Sequence, residues 1–108
     1  MTDVVYDRKE HRLTVSGHAG GGEVGSDPIC AAVSILAYTF AQACIDAVEF
    51  KFAKRDSAYT KFEDGYAEVS VKPHKKYDDM VAAILDSICN GYVLLAAKYK
   101  DNVRFNVK

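Results

Sequence analysis

SDPICAAVSILAYTFAQACIDAV, residues 26–48, decides how the rest of the chain must fold. Its apolar residues recur at Ile29, Val33, Leu36, Phe40, Ala43, Cys44 and Ala47, the spacing of one helix face. Asp27 and Pro28 mark the start. The carboxylate accepts from first-turn amides, and proline's fixed φ and missing N–H suit the first helical position. The pattern predicts a helix from about Pro28 to Val48.

A helix with one apolar stripe needs a surface to bury it against, and the flanking sequence supplies strands. Residues 2–7 and 11–17 are rich in Val, Leu, Thr and Tyr and are separated by Asp7-Arg8-Lys9-Glu10, which predicts a hairpin with Leu13 and Val15 on one face. Residues 59–62 and 66–71 read as a second hairpin through Glu63-Asp64-Gly65, and Pro73 ends it. A second helix is predicted over 77–99, with Val81, Ile84, Ile88, Tyr92 and Leu95 on its stripe. Asp78 and Asp79 open it and Lys98 and Lys100 close it, as the helix dipole prefers. Val103, Phe105 and Val107 alternate with polar residues in a last strand. The order ββαββαβ implies an α+β fold. It is a single domain over residues 1–108, a mainly antiparallel or mixed sheet packed by two helices.

Composition narrows the function. At 108 residues and 49% hydrophobic content, the chain has material for one real core and is not a disordered segment. A net charge of −1 leaves no chain-wide field for non-specific nucleic-acid binding, so no direct nucleic-acid contact is required. Basic residues gather in Lys51, Lys54 and Arg55 and again in Lys72, Lys75 and Lys76. Solvated faces near helix ends are the simpler reading of both groups, and a partner-facing surface is the other. The opening MTDVVYDRKE lacks the apolar core of a secretory signal. The run Ile29–Ile45 is interrupted by Ser34, Thr39 and Gln42, falls short of a typical span, and reads as a buried helix with no membrane role. Three cysteines without a CxxC pair argue against a disulfide framework or a zinc ribbon. A cytoplasmic protein with reduced thiols is expected.

The chemistry concentrates in GHAGGGEVGSDPIC, residues 17–30. The stretch lacks the Lys-Ser/Thr ending of a P-loop and the GxGxxG of a dinucleotide site, and Glu23 and Asp27 would repel an anion. Cys30 falls in the first helical turn, where the positive end of the dipole favours a thiolate and free amides could hold an oxyanion. From position alone a small core cysteine is the simpler reading. His18 changes it: a loop of eleven residues can fold back and bring an imidazole to the thiol, which a thiol nucleophile requires. His11 and His74 read as surface residues, and Cys44 and Cys89 as core. For Asp27 the helix cap is the simpler role, and orienting His18 is the other. Ser34, one turn after Cys30, either lines the site or bonds a backbone carbonyl. Gly20, Gly21, Gly22 and Gly25 suit a mobile substrate loop.

Gly17-His18-Ala19, followed by Gly25-Ser26-Asp27-Pro28-Ile29-Cys30-Ala31-Ala32-Val33-Ser34, resembles the signature of the ribosomal-processing cysteine protease family Prp. The resemblance extends over the whole chain in length and element order. It implies a dyad of His18 as general base and Cys30 as nucleophile, no metal and no organic cofactor. It also implies a substrate, the N-terminal extension of the bacterial large-subunit ribosomal protein numbered twenty-seven, cut after a phenylalanine-rich stretch, and a homodimer. Pro28 departs from the branched aliphatic residue expected there, and the triple glycine is looser than the family's loop. A non-catalytic ribosome-associated binding or assembly module is the alternative from another class. A thiol-redox enzyme is a third, weakened by the lack of a nearby second cysteine.

Overall fold

The computed structural model describes residues 1–18 and 27–108. Its elements are β1 (Thr2–Asp7), β2 (Arg12–Ser16), α1 (Pro28–Glu49), β3 (Tyr59–Glu63), β4 (Tyr66–Ser70), α2 (Asp78–Lys98) and β5 (Val103–Val107), with one 3₁₀ turn at Lys75–Tyr77. This is the ββαββαβ order expected from the two periodicities. The five strands form one sheet in the order β3-β4-β2-β1-β5. Both hairpins and the β2–β4 pair are antiparallel, while β5 runs parallel to β1, with Thr2 opposite Val103. The sheet is therefore mixed.

Alternation puts Val4, Tyr6, Leu13, Val15, Ala67, Val69 and Val103 on one buried face. Both helices cover that face. α1 buries Val33, Ala37, Phe40, Ala41, Cys44 and Ala47, with Phe40 edge-on to Tyr6 at 5.9 Å. α2 buries Val81, Ala82, Leu85, Cys89 and Tyr92. Tyr92 stacks on Phe105 of β5, and its hydroxyl donates to the Val33 carbonyl of α1 at 2.9 Å. That bond ties the helices together inside the core, where an unpaired phenol would be costly.

Three sequence expectations change. Ile84, assigned to the buried stripe of α2, is 46% exposed, and Ile88 and Leu95 are half-buried. The helix is apolar around much of its circumference, so the Ala82–Leu85–Cys89 edge meets the sheet instead. His11, expected on the surface, is 7% exposed. It occupies a left-handed backbone position (φ 51°) that turns its ring under the N-terminus of α2, with Nε2 3.2 Å from Asp78 Oδ1. Finally, α1 spans 22 residues, and by length and composition α1 and the Lys75–Lys98 segment would each suffice to cross a bilayer. Core helices pass the same test, and here each carries a buried stripe against the sheet.

Candidate active site

Asp27 is the N-cap of α1. Its Oδ1 accepts from the amide of Ile29 at 2.8 Å and, more loosely, from that of Cys30 at 3.4 Å. Pro28 occupies the first turn, and the Ala31 amide donates to the Asp27 carbonyl at 3.0 Å. The capping role assigned from sequence is thus filled by a carboxylate that is itself buried. A consequence corrects the expectation of free first-turn amides. The Ile29 amide is committed to the cap, leaving Cys30's weakly held N–H as the first-turn donor best suited to an oxyanion. The Cys30 thiol is half-buried at this helix end.

His18 follows the end of β2. Gly17 precedes it with φ 88°, and a Cβ there would collide with the Met1 carbonyl oxygen, so only glycine fits. The Gly17 amide donates to the Gly65 carbonyl at 2.8 Å, and the Met1 nitrogen donates to the His18 carbonyl at 2.8 Å. The backbone beneath the imidazole is therefore held from two sides. The half-exposed ring lies against the β3–β4 turn, with Nε2 3.5 Å from Asp64 Oδ1. Gly65, at φ 73°, lies directly below it: a Cβ would come within 3.2 Å of Nε2.

His18, Asp27, Cys30 and Ser34 line one cavity of about 520 Å³, together with Tyr38, Phe62, Glu63, Asp64, Gly65 and Tyr66. The structure thus brings the end of β2 and the start of α1 to one place. It also adds the second hairpin as a wall. Tyr38 of α1 and Phe62 of β3 pack together as tilted rings, centroids 4.9 Å apart, and give the cavity an apolar side. Among the described residues the Ser34 hydroxyl makes no hydrogen bond, so it lines the site rather than bonding a carbonyl. Gly20, Gly21, Gly22 and Gly25 lie outside the described residues.

Sequence reasoning missed Asp64. Asp-Gly reads as turn chemistry, which it is, and nothing in one dimension shows that the turn lands beside His18. The other thiols behave as core: burial pushes both Cys44 and Cys89 up to about 12. Among the described residues no group of three or more His, Cys, Asp or Glu side chains is arranged to hold a metal.

Among solved structures, the chain is similar to the essential ribosomal processing protease Prp from S. aureus in complex with a covalently linked product peptide. The TM-score is 0.68 at 20% identity, covering 99% of this chain and 97% of that one. The same protease in complex with a substrate peptide gives 0.64 at 18% identity, with the same coverage. SMU.848 from Streptococcus mutans gives 0.65 at 23% identity, covering 98% and 90%. These likenesses concern the fold. No curated protein sequence matches the chain closely enough to count as a relative. The family model for the cysteine protease Prp matches residues 1–104, nearly the whole chain, and the protein belongs to that cysteine protease family.

Proposed function

We propose that the protein hydrolyses a peptide bond through a dyad of Cys30 and His18. Its proposed substrate is the N-terminal extension of the bacterial large-subunit ribosomal protein numbered twenty-seven. The observation that carries the dyad is the convergence of His18 from β2 and Cys30 from α1 on one cavity with a carboxylate behind the imidazole. Asp64 beside Nε2 favours the tautomer with its proton there, leaving Nδ1 to take the thiol proton. The Cys30 sulfur then bonds to the scissile carbonyl carbon, and the oxyanion is met by the loosely held Cys30 amide. His18 returns the proton to the leaving amine as the C–N bond breaks, giving a thioester and a new N-terminus. Water, deprotonated by the same imidazole, releases the acid and restores the thiol.

The choice of substrate is supported by family membership and by the peptide complexes of the S. aureus ribosomal processing protease. A cavity with an apolar aromatic wall is suited to a phenylalanine-bearing chain. Incubation with the extended ribosomal protein tests both points. Cys30→Ala and His18→Ala are expected to lower kcat by about 10³-fold or more. Cleavage undiminished in either variant removes the dyad, whereas intact cleavage of other peptides alone removes only the substrate. We further propose a cytoplasmic homodimer. Ile35, Ile84, Val93 and Leu94 expose apolar surface on the outer faces of the helices, which a second copy would cover. Sedimentation equilibrium should give twice 11.9 kDa, and Leu94→Glu should shift it toward monomer.

A further inference from the structure

Two basic clusters that the sequence keeps apart become one surface in the fold. The Lys54 amide donates to the Lys72 carbonyl at 2.8 Å, and the His74 amide to the Phe52 carbonyl at 3.0 Å. The Lys72 amide donates to Ser57 Oγ at 3.2 Å, and Ala53 pairs with Pro73 in an isolated antiparallel bridge. Ala53 is turned inward and buried, which leaves Lys51, Lys54, Arg55, Lys72, Lys75 and Lys76 all exposed around it. Residues 51–56 and 72–76 hold six of the chain's fourteen Lys and Arg and a single acid, Asp56. The other eight cations share the rest of the chain with fourteen acids. The net charge of −1 therefore conceals a separation of charge, and the whole-chain case against a polyanionic partner fails at this surface.

The fold gains little from gathering these cations: Lys76 lies over the Tyr77 ring at 5.5 Å, and the rest find scant counter-charge. Among the described residues their one ion pair is Arg55 with Asp56, at 3.9 Å and almost fully exposed. Like charges within a Debye length repel, and the backbone bonds hold them together regardless. Lys51 and Asp56 also occupy the left-handed region, at φ 64° and 59°, which costs residues other than glycine. A counter-charge from outside offsets the repulsion between the cations.

The aromatic residues indicate which kind. Phe50 caps the end of α1 beside Lys51 and is 66% exposed. Its ring lies 6.3 Å from Phe52, which packs edge-on against Tyr77 at 4.9 Å, so the exposed ring has a fixed base. A hollow of about 510 Å³ next to it is lined by Lys51, Arg55 and His74, with one acid, Glu49, and the apolar Val48 and Ala53. Acidic peptides need only the cations. A nucleotide chain uses the cations for its phosphates and the ring for a base, and one platform among separated charges suits a flexible strand better than a duplex groove.

We propose that the surface formed by residues 50–56 and 72–76 binds single-stranded polynucleotide, phosphates on its lysines and arginine and a base on Phe50. The test is fluorescence anisotropy of the full chain with a labelled oligouridylate of about twenty nucleotides, longer than a single stacking site. Affinity should fall with salt at about 0.7 per neutralised phosphate on a log–log plot. Lys54→Ala/Arg55→Ala/Lys75→Ala should weaken binding about tenfold or more and lower that slope by about 2. Phe50→Ala, at an exposed position that leaves the fold intact, should weaken it about fivefold or more with the slope unchanged. Absence of binding at low salt, or equal binding by wild type and the triple variant, overturns the proposal. Tighter binding of polyglutamate or of phosphatidylserine vesicles than of the oligonucleotide, with Phe50→Ala neutral, overturns it in favour of an acidic protein or a membrane.

Discussion

Gly65 offers the His18 imidazole a surface without a side chain, and Asp64 beside it offers an acceptor. Both act on the same ring, so their substitutions separate geometry from charge. Gly65→Ala puts a methyl against Nε2 and forces a left-handed alanine. It should lower kcat about tenfold or more with little change in KM, read from steady-state cleavage of a peptide substrate. Asp64→Asn keeps the shape and removes the charge. Because Asp64 is 91% exposed, its effect is screened: a kcat loss of a few fold, shrinking as salt rises, is expected. A loss that ignores salt would make Asp64 merely structural. The reactive thiol is distinguishable in the same way. Brief alkylation of the native protein should label Cys30 and spare Cys44 and Cys89, whose burial keeps them protonated at neutral pH; peptide mass mapping decides it.

At the scale of elements, Asp27 joins stability to the site, because one carboxylate caps α1 and orders the turn that carries Cys30. Asp27→Ala should cost about 1 kcal/mol of folding stability, measured by urea unfolding, and lower cleavage at temperatures where the fold remains intact. Asp27→Asn should recover most of the stability, since asparagine caps as well. The helix was legible in advance because Asp27-Pro28 and the three-and-four spacing are local signals. Element order was legible for the same reason. What local signals do not carry is which turn meets which strand end. Asp64 reads as half of a tight turn until β4 pairs with β2 and the Gly17 amide reaches the Gly65 carbonyl. His11 reads as a polar turn residue until its left-handed backbone tucks the ring beneath α2. The parallel β1–β5 pairing likewise depends on where α2 returns the chain.

For the molecule as a whole, the buried thiols and phenols set an upper pH limit. Cys44 and Cys89 are pushed up to about 12 by burial, and burial also raises Tyr6 and Tyr92. The folded chain holds these protons after the unfolded chain has released them. Their contribution is therefore complete below about pH 9 and is lost as pH climbs toward 12, on the order of 2 kcal/mol per thiol by pH 10.5. Urea midpoints should fall steeply between pH 9 and pH 10.5, and the fall should be smaller in Cys44→Ala/Cys89→Ala. An unchanged pH dependence in that variant would assign the limit to the phenols.

The length of α1 has a geometric consequence of its own. Cys30 stands in its first turn and Phe50 just past its last, and at 1.5 Å per residue that is about 30 Å of rigid rod. A protein tail whose bound polynucleotide is moored by its phosphates at the far end would be cut at a fixed reach from that anchor. Spanning that reach takes about nine extended residues, since each covers roughly 3.3–3.6 Å. The helix that completes the core would then also serve as a gauge, admitting tails long enough to cross it and passing over those too short to arrive.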